Sequence, residues 1–213
     1  MRRVPWRSGL AVLETSPRLG KEYRDVMRSR LDYRASDFDH VSHVADLTID
    51  LQDVNLPDAS LDVVLTPHVL EHVPDTSRAV RELHRVVRPG GLVLLQVPLL
   101  QPRTTVPAEP EFHEDRTLVH WRFGVDLTSL LREGGFVVAM LVTDDLAHRV
   151  ATRKAHWRDV AAEFDAPGLV AAMDPGDLVV VASRGEARRS GFEPSYMFVT
   201  WECRKPAGAP GGG

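Results

Sequence analysis

Short apolar runs alternate with amphipathic segments along the first two thirds of the chain. "LAVLE" (10–14), "LDYRAS" (31–36), "VADLTI" (44–49) and "LDVVLT" (61–66) have strand length and are bounded by polar or turn-forming positions. After them the period changes. Ala79, Val80, Leu83, Val86 and Val87 recur at i, i+3, i+4 spacing, which puts them on one helix face, and Asp75 stands where it can cap that helix. "RPGG" (88–91) breaks it, and "LVLLQVPLL" (92–100) follows, apolar nearly throughout, as a central parallel strand covered on both faces must be. Strand and helix in alternation predict a parallel α/β sheet with helical crossovers.

A polar, proline-rich loop (101–123) separates this half from "VDLTSLLREGGF", a helix with Asp126 as cap, Leu127, Leu130 and Leu131 facing inward and Gly134 as stop. "FVVAMLVT" then reads as a sixth strand. Beyond it an amphipathic helix is expected near 152–164, carrying Trp157, Val160, Ala161 and Phe164, with strands at 178–183 and 196–203; the pattern does not say which of them closes the sheet. A chain of 213 residues buries enough surface as one domain to need no disulfide or metal. The expected organisation is one domain over 1–206, with 144–177 as an insertion or lid, and a disordered tail at 207–213 that has no apolar anchor.

Charge and composition narrow the partners. A net charge of −4 gives no electrostatic reason to hold a nucleic-acid backbone, which favours a small-molecule partner. The single cysteine, Cys203, excludes an internal disulfide and any cysteine-rich zinc site, and is expected as a buried thiol in a reducing compartment. The longest apolar run, "GLVLLQVPLL", is too short to span a bilayer, and the first residues carry no signal-peptide pattern, so no membrane partner and a cytoplasmic chain are expected.

The stretch "PHVLEHVPD" (67–75) places His68, Glu71 and His72 at the H-x-x-E-H spacing of a class of zinc proteases. Its flanks argue otherwise. Pro67 ends the preceding strand and Pro74 stops any helix begun at 68 after about two turns, so both histidines fall on a single short turn, a poor platform for such a site. No metal is expected.

The run "LPDASLDVV", "HVLEHV" and "ELHRVVRPGGLVLLQVP", in this order and spacing, resembles the class I S-adenosylmethionine-dependent methyltransferases of the small-molecule type, most strongly over 44–98. The resemblance implies a single-domain Rossmann-like α/β fold: a mostly parallel seven-stranded sheet, helices on both faces and an antiparallel last strand. Its cofactor, S-adenosylmethionine, is expected at the C-terminal strand ends. By the same resemblance Asp37 holds the ribose, Asp50 the adenine amino group with the Leu51 amide beside it, and Thr66 and His68 line the methionine side, while Glu71 and His72 begin the next element.

One departure concerns the first loop. The family's E-x-G-x-G-x-G reads "ETSPRLG" here, so Glu14 and Gly20 remain while Ser16 and Arg18 replace glycines that let backbone approach the cofactor. Arg18 is expected to pair with the methionine carboxylate. With nine residues before the first strand, cover over the substrate is expected from 101–123 or 144–177. His113, flanked by Glu114 and Asp115, is the first candidate for a catalytic base and His68 the second; Glu111 and His120 are weaker. The function implied is methyl transfer to a small-molecule acceptor. The alternative is a non-catalytic relative with an impaired cofactor loop, and a nicotinamide-dependent oxidoreductase is disfavoured because no G-x-G-x-x-G follows the first strand.

Overall fold

The computed structural model describes residues 6–39, 45–112, 117–155, 164–190 and 199–208. The first half is β1 (Ala11–Thr15), α1 (Lys21–Arg30), β2 (Asp32–Asp37), β3 (Leu47–Thr48), β4 (Leu61–Pro67), α2 (Thr76–Val86) and β5 (Val87–Gln96). A hairpin of β6 (Glu111–Phe112) and β7 (Leu118–Val119) follows, then α3 (Leu127–Glu133), β8 (Val137–Thr143), α4 (Asp144–Thr152), α5 (Ala166–Ala172), β9 (Leu178–Ala182), α6 (Arg184–Arg189) and β10 (Thr200–Arg204).

The main sheet runs β3-β2-β1-β4-β5-β10-β8-β9. Its pairings are parallel except where β10 enters antiparallel between β5 and β8. The expected seven strands are therefore present with one more. The extra strand is β9, paired parallel to β8 at the outer edge.

Apolar periodicity explains the layers. The α2 face of Ala79, Val80, Leu83 and Val86 is buried against Leu13, Val64, Val93 and Leu95 of the sheet, and the Asp75 carboxylate caps the helix by accepting from the Arg78 amide at 2.9 Å. The opposite face holds a smaller cluster of Leu10, Val12, Tyr33, Ala35, Val63 and Leu92, covered by Met27 and Leu31 at the end of α1. Helices thus lie on both faces. Cys203 is buried in the larger cluster, and burial pushes its thiol up from the ordinary range.

Two local expectations change. "RPGG" does not separate helix from strand, because β5 already begins at Val87 opposite Leu61 and residues 88–91 bulge before Leu92 pairs with Val63. Glycine is required at the bulge: Gly90 sits at φ 79, and a Cβ on Gly91 would lie 2.6 Å from Val87 Cγ1 and 2.9 Å from the Asp62 carbonyl. Asp126 precedes α3 without capping it by its side chain; its carboxylate accepts instead from the Thr104 amide and hydroxyl. In the segment 144–177, Leu146 and Val150 of α4 and Leu169 and Val170 of α5 belong to the core. Trp157, Val160 and Ala161 lie outside the described residues, as does most of the expected tail.

Candidate functional site

The C-terminal ends of β1, β2 and β4 meet along one edge of the sheet, where open α/β sheets place their ligands. Thr15 pairs with Ser36 and Leu13 with Val64, so the period-two alternation brings Thr15, Ser36 and Thr66 to the same face of that edge. All three are buried. Their hydroxyls have no hydrogen-bond partner among the described residues, which is uncommon for buried polar groups and marks this edge as a place where a polar ligand would complete the bonding.

The loop after β1 bends at Ser16, whose φ of 49 lies in the left-handed region that favours glycine. Its amide donates to the Ser36 carbonyl at 2.7 Å and its hydroxyl lies 3.5 Å from Asp37 Oδ1. This is the conformation a glycine would adopt at little cost, so the serine keeps the loop's path and adds a small side chain. Arg18 is exposed. Gly20, at the start of α1, has an ordinary φ of −66 and open space where a Cβ would stand.

Glu14 serves the other face. Its carboxylate accepts a 2.6 Å hydrogen bond from Tyr33 Oη on the neighbouring strand, and both residues are buried. Tyr23 of α1 packs edge-on to Tyr33 with centroids 6.4 Å apart. Burial first, and Glu14 second, push both phenols above the ordinary tyrosine value.

Asp37 is buried at the end of β2, its Oδ1 accepting from the Phe38 amide at 2.8 Å. Asp50 is half-buried, and its carboxylate accepts from the Gln52 amide at 2.8 Å and the Gln52 side chain at 3.2 Å. Leu51 beside it is buried in the main core.

The turn after β4 is the most constrained part of the edge. His68 holds a left-handed backbone at φ 54, fixed by its amide donating to the Gln96 carbonyl at 2.8 Å. Glu71 is 1% exposed, and neither carboxylate oxygen has a hydrogen-bond partner among the described residues. Among the described residues the ionisable group that faces it is His68, with Nδ1 3.6 Å from Oε1. His72 is engaged elsewhere: its Nδ1 lies 2.8 Å from the Leu118 carbonyl. Among the described residues no three metal-ligating side chains converge.

The loop beyond β5 folds onto this turn. The His120 and Trp121 amides donate to the Glu71 carbonyl at 2.9 and 3.2 Å, and Trp121 Nε1 donates to the Val73 carbonyl at 3.0 Å. Within the loop, Arg122 pairs with Glu111 at 2.8 Å, and the chain at Gly124 approaches the Arg103 backbone so closely that a Cβ would overlap it. His113, Glu114 and Asp115 lie outside the described residues, between β6 and β7. The two regions singled out for the acceptor side are thus in contact through residues 71–74 and 118–121.

Two residues of the edge escape sequence reasoning. Glu71 reads as part of the H-x-x-E-H spacing, and nothing local signals that its carboxylate is sequestered. Phe38 is 70% exposed immediately beyond Asp37, an unusual setting for a phenyl ring and a flat apolar face beside the strand end.

Comparison with known proteins agrees with the fold. Residues 18–95 match a family described as "Methyltransferase domain". A probable S-adenosylmethionine-dependent methyltransferase of Mycobacterium tuberculosis is 42% identical over 94 residues, 42% of this chain and 32% of that protein. The 27-O-demethylrifamycin SV methyltransferase of Amycolatopsis mediterranei is 29% identical over 183 residues, 81% of this chain and 64% of that protein. The aligned part thus spans about a third of the mycobacterial relative's length. Among solved structures, an S-adenosylmethionine-dependent methyltransferase of Mesorhizobium loti superposes with a TM-score of 0.54 at 15% identity, covering 95% of this chain and 94% of the other. The chain is similar to this family in sequence, and its fold is the class I methyltransferase fold.

Proposed function

We propose that this chain, built on the class I methyltransferase fold, binds S-adenosylmethionine at the C-terminal ends of β1, β2 and β4 and directs methyl transfer to a small-molecule acceptor. One observation carries the reading: three buried hydroxyls without partners among the described residues, Thr15, Ser36 and Thr66, share an edge with the buried Asp37 carboxylate. A ligand bearing a vicinal diol and several polar atoms suits that lining, since a carboxylate accepts two bonds from a diol.

In this reading Asp37 takes the ribose, Phe38 offers its exposed face to the adenine, and Thr66 and the Ser16 bend border the methionine portion. Arg18 reaches the methionine carboxylate from the exposed loop. Asp50, already held by Gln52, reaches the adenine amino group only if that contact is shared, with the Leu51 amide beside it. Glu14 and Gly20 act on the loop: one anchors β1 through Tyr33 and the other starts α1.

When bound, the cofactor supplies an activated methyl group. The chain's own task is alignment, which is worth about 7–11 kcal/mol in well-oriented reactions, and acceptance of a proton where the acceptor carries one. His113 and His68 are the groups proposed for that proton. Support for a small-molecule acceptor comes from the Amycolatopsis relative, whose name gives 27-O-demethylrifamycin SV as its substrate, and from a net charge of −4 that does not favour nucleic acid.

Calorimetric titration with S-adenosylmethionine and S-adenosylhomocysteine tests the reading. Binding of both with one-to-one stoichiometry is expected. Binding of neither by the folded protein would overturn it in favour of a non-catalytic relative.

A further inference from the structure

We propose that Glu71 is a positioning residue for His68: its buried carboxylate holds the imidazole in the Nδ1–H tautomer, leaving the Nε2 lone pair as the proton acceptor at the end of β4. The catalytic use of that lone pair rests on the methyl-transfer reading above; the tautomer does not.

The argument starts from an anomaly. A carboxylate taken out of water is costly unless charges or hydrogen bonds replace its hydration. Glu71 is 1% exposed, yet no amide, hydroxyl or guanidinium among the described residues meets either oxygen. The group that can compensate it is the His68 ring, with Nδ1 at 3.6 Å from Oε1. That distance is beyond a hydrogen bond, and such contacts are often long before substrate arrives.

Both backbones are held, so the gap closes by side-chain rotation alone. His68 is fixed in its left-handed conformation by the bond to Gln96. The Glu71 carbonyl is clamped by the amides of His120 and Trp121. A strained residue maintained by its surroundings at a ligand-binding strand end is a common feature of functional sites. His72, the other histidine of the motif, turns its Nδ1 to the Leu118 carbonyl on the loop beyond β5, 2.8 Å away.

The chemistry is a single proton movement. The acceptor's proton passes to Nε2, the electron pair of its broken bond staying on the acceptor atom, and the imidazolium so formed faces the Glu71 carboxylate, which stabilises the added charge. Turnover is completed when that proton leaves to water.

Nitrogen-15 spectra of histidine-labelled protein test this without knowledge of the acceptor. The His68 signals are assigned with His68→Gln and recorded where the ring is neutral. The expected wild-type pattern is a protonated Nδ1 and an unprotonated Nε2, with the Nε2–H form becoming dominant in Glu71→Met. A wild-type ring in the Nε2–H form, or the same pattern in both proteins, overturns the proposal. Should Glu71→Met fail to fold, the wild-type spectrum alone decides. Titration with S-adenosylhomocysteine on the same samples tests the cofactor reading separately.

Discussion

Tyr33 donates its phenolic proton to Glu14 across the β1–β2 pair at 2.6 Å, joining two buried residues on the α1 face of the sheet. Tyr33→Phe keeps the ring but removes this bond to the carboxylate, so unfolding free energy should fall by roughly 1.5–3 kcal/mol, as for other hydrogen bonds to charged groups. Urea denaturation of the two proteins at neutral pH measures it. The same pair sets an alkaline limit. Burial holds the Tyr33 and Tyr23 phenols above their ordinary value of 10.0, so their contribution is fully present below that pH and is lost as pH rises above it. Wild-type stability should decline above about pH 10, and less steeply in Tyr33→Phe.

Ser16→Gly should keep or raise stability, by up to about 1 kcal/mol, because glycine enters the left-handed region without the Cβ penalty. Affinity for S-adenosylhomocysteine should persist. Gly20→Ala should change stability by less than about 0.5 kcal/mol, since its φ is ordinary and the space beyond it is open. A large loss from the second substitution would place a ligand or another segment against Gly20.

Asp37→Ala should weaken binding of S-adenosylhomocysteine by roughly 1.5–3 kcal/mol with the fold intact. Arg18→Gly should also weaken it, despite restoring a family glycine, through loss of the methionine carboxylate's partner. Tighter binding after that change would identify Arg18 as an obstruction. Calorimetry reads both.

His84 packs edge-on to Phe136 with ring centroids 5.1 Å apart. Burial, with Lys205 as the second cause, lowers its affinity for a proton below the ordinary histidine value of 6.5. A depressed folded value means that its contribution is present above pH 6.5 and is lost as pH falls through the folded value. His84→Gln should therefore lose less stability than wild type between about pH 7.5 and about pH 5.5, a window that brackets an ordinary imidazole. Equal losses in thermal unfolding would remove His84 as the cause.

Gly124→Ala should open the loop beyond β5. The added Cβ would overlap Arg103 backbone atoms, which cannot rotate aside as a side chain would. Limited proteolysis should cut the variant between residues 101 and 125 faster than wild type while the sheet stays protected.

Much of this architecture is legible in periodicity. The α2 face and the β1, β2 and β4 segments form within a residue of where their patterns place them, because each pattern is local, whereas β5 begins at Val87, ahead of its apolar run, and ends at Gln96. What is not legible depends on partners far away in the chain. The strands 178–182 and 200–204 are equal in length, the first the more apolar, and only pairing decides that the second enters the sheet between β5 and β8 while the first stays at the edge. The bond from Tyr33 to Glu14 needs the β1–β2 register. The loop 101–125 looks like a solvated polar segment by composition, yet its amides and Trp121 bind the turn at 71–74. For the candidate site, the strand-end positions of Asp37, Thr66 and His68 follow from the resemblance, whereas the burial of Glu71 comes from tertiary packing that no spacing reveals.

Among the described strands β10 comes last in the chain and yet lies between β5 and β8. While the polypeptide is being synthesised, β5 and β8 each present a bare edge with no strand to complete it, and the two halves of the sheet cannot be joined. Such edges are templates for pairing with other chains, and joining elements so distant in sequence is slow. The nascent chain therefore passes through a stage, ended only when residues 200–204 emerge from the ribosome, in which its central apolar strand is open to misassociation.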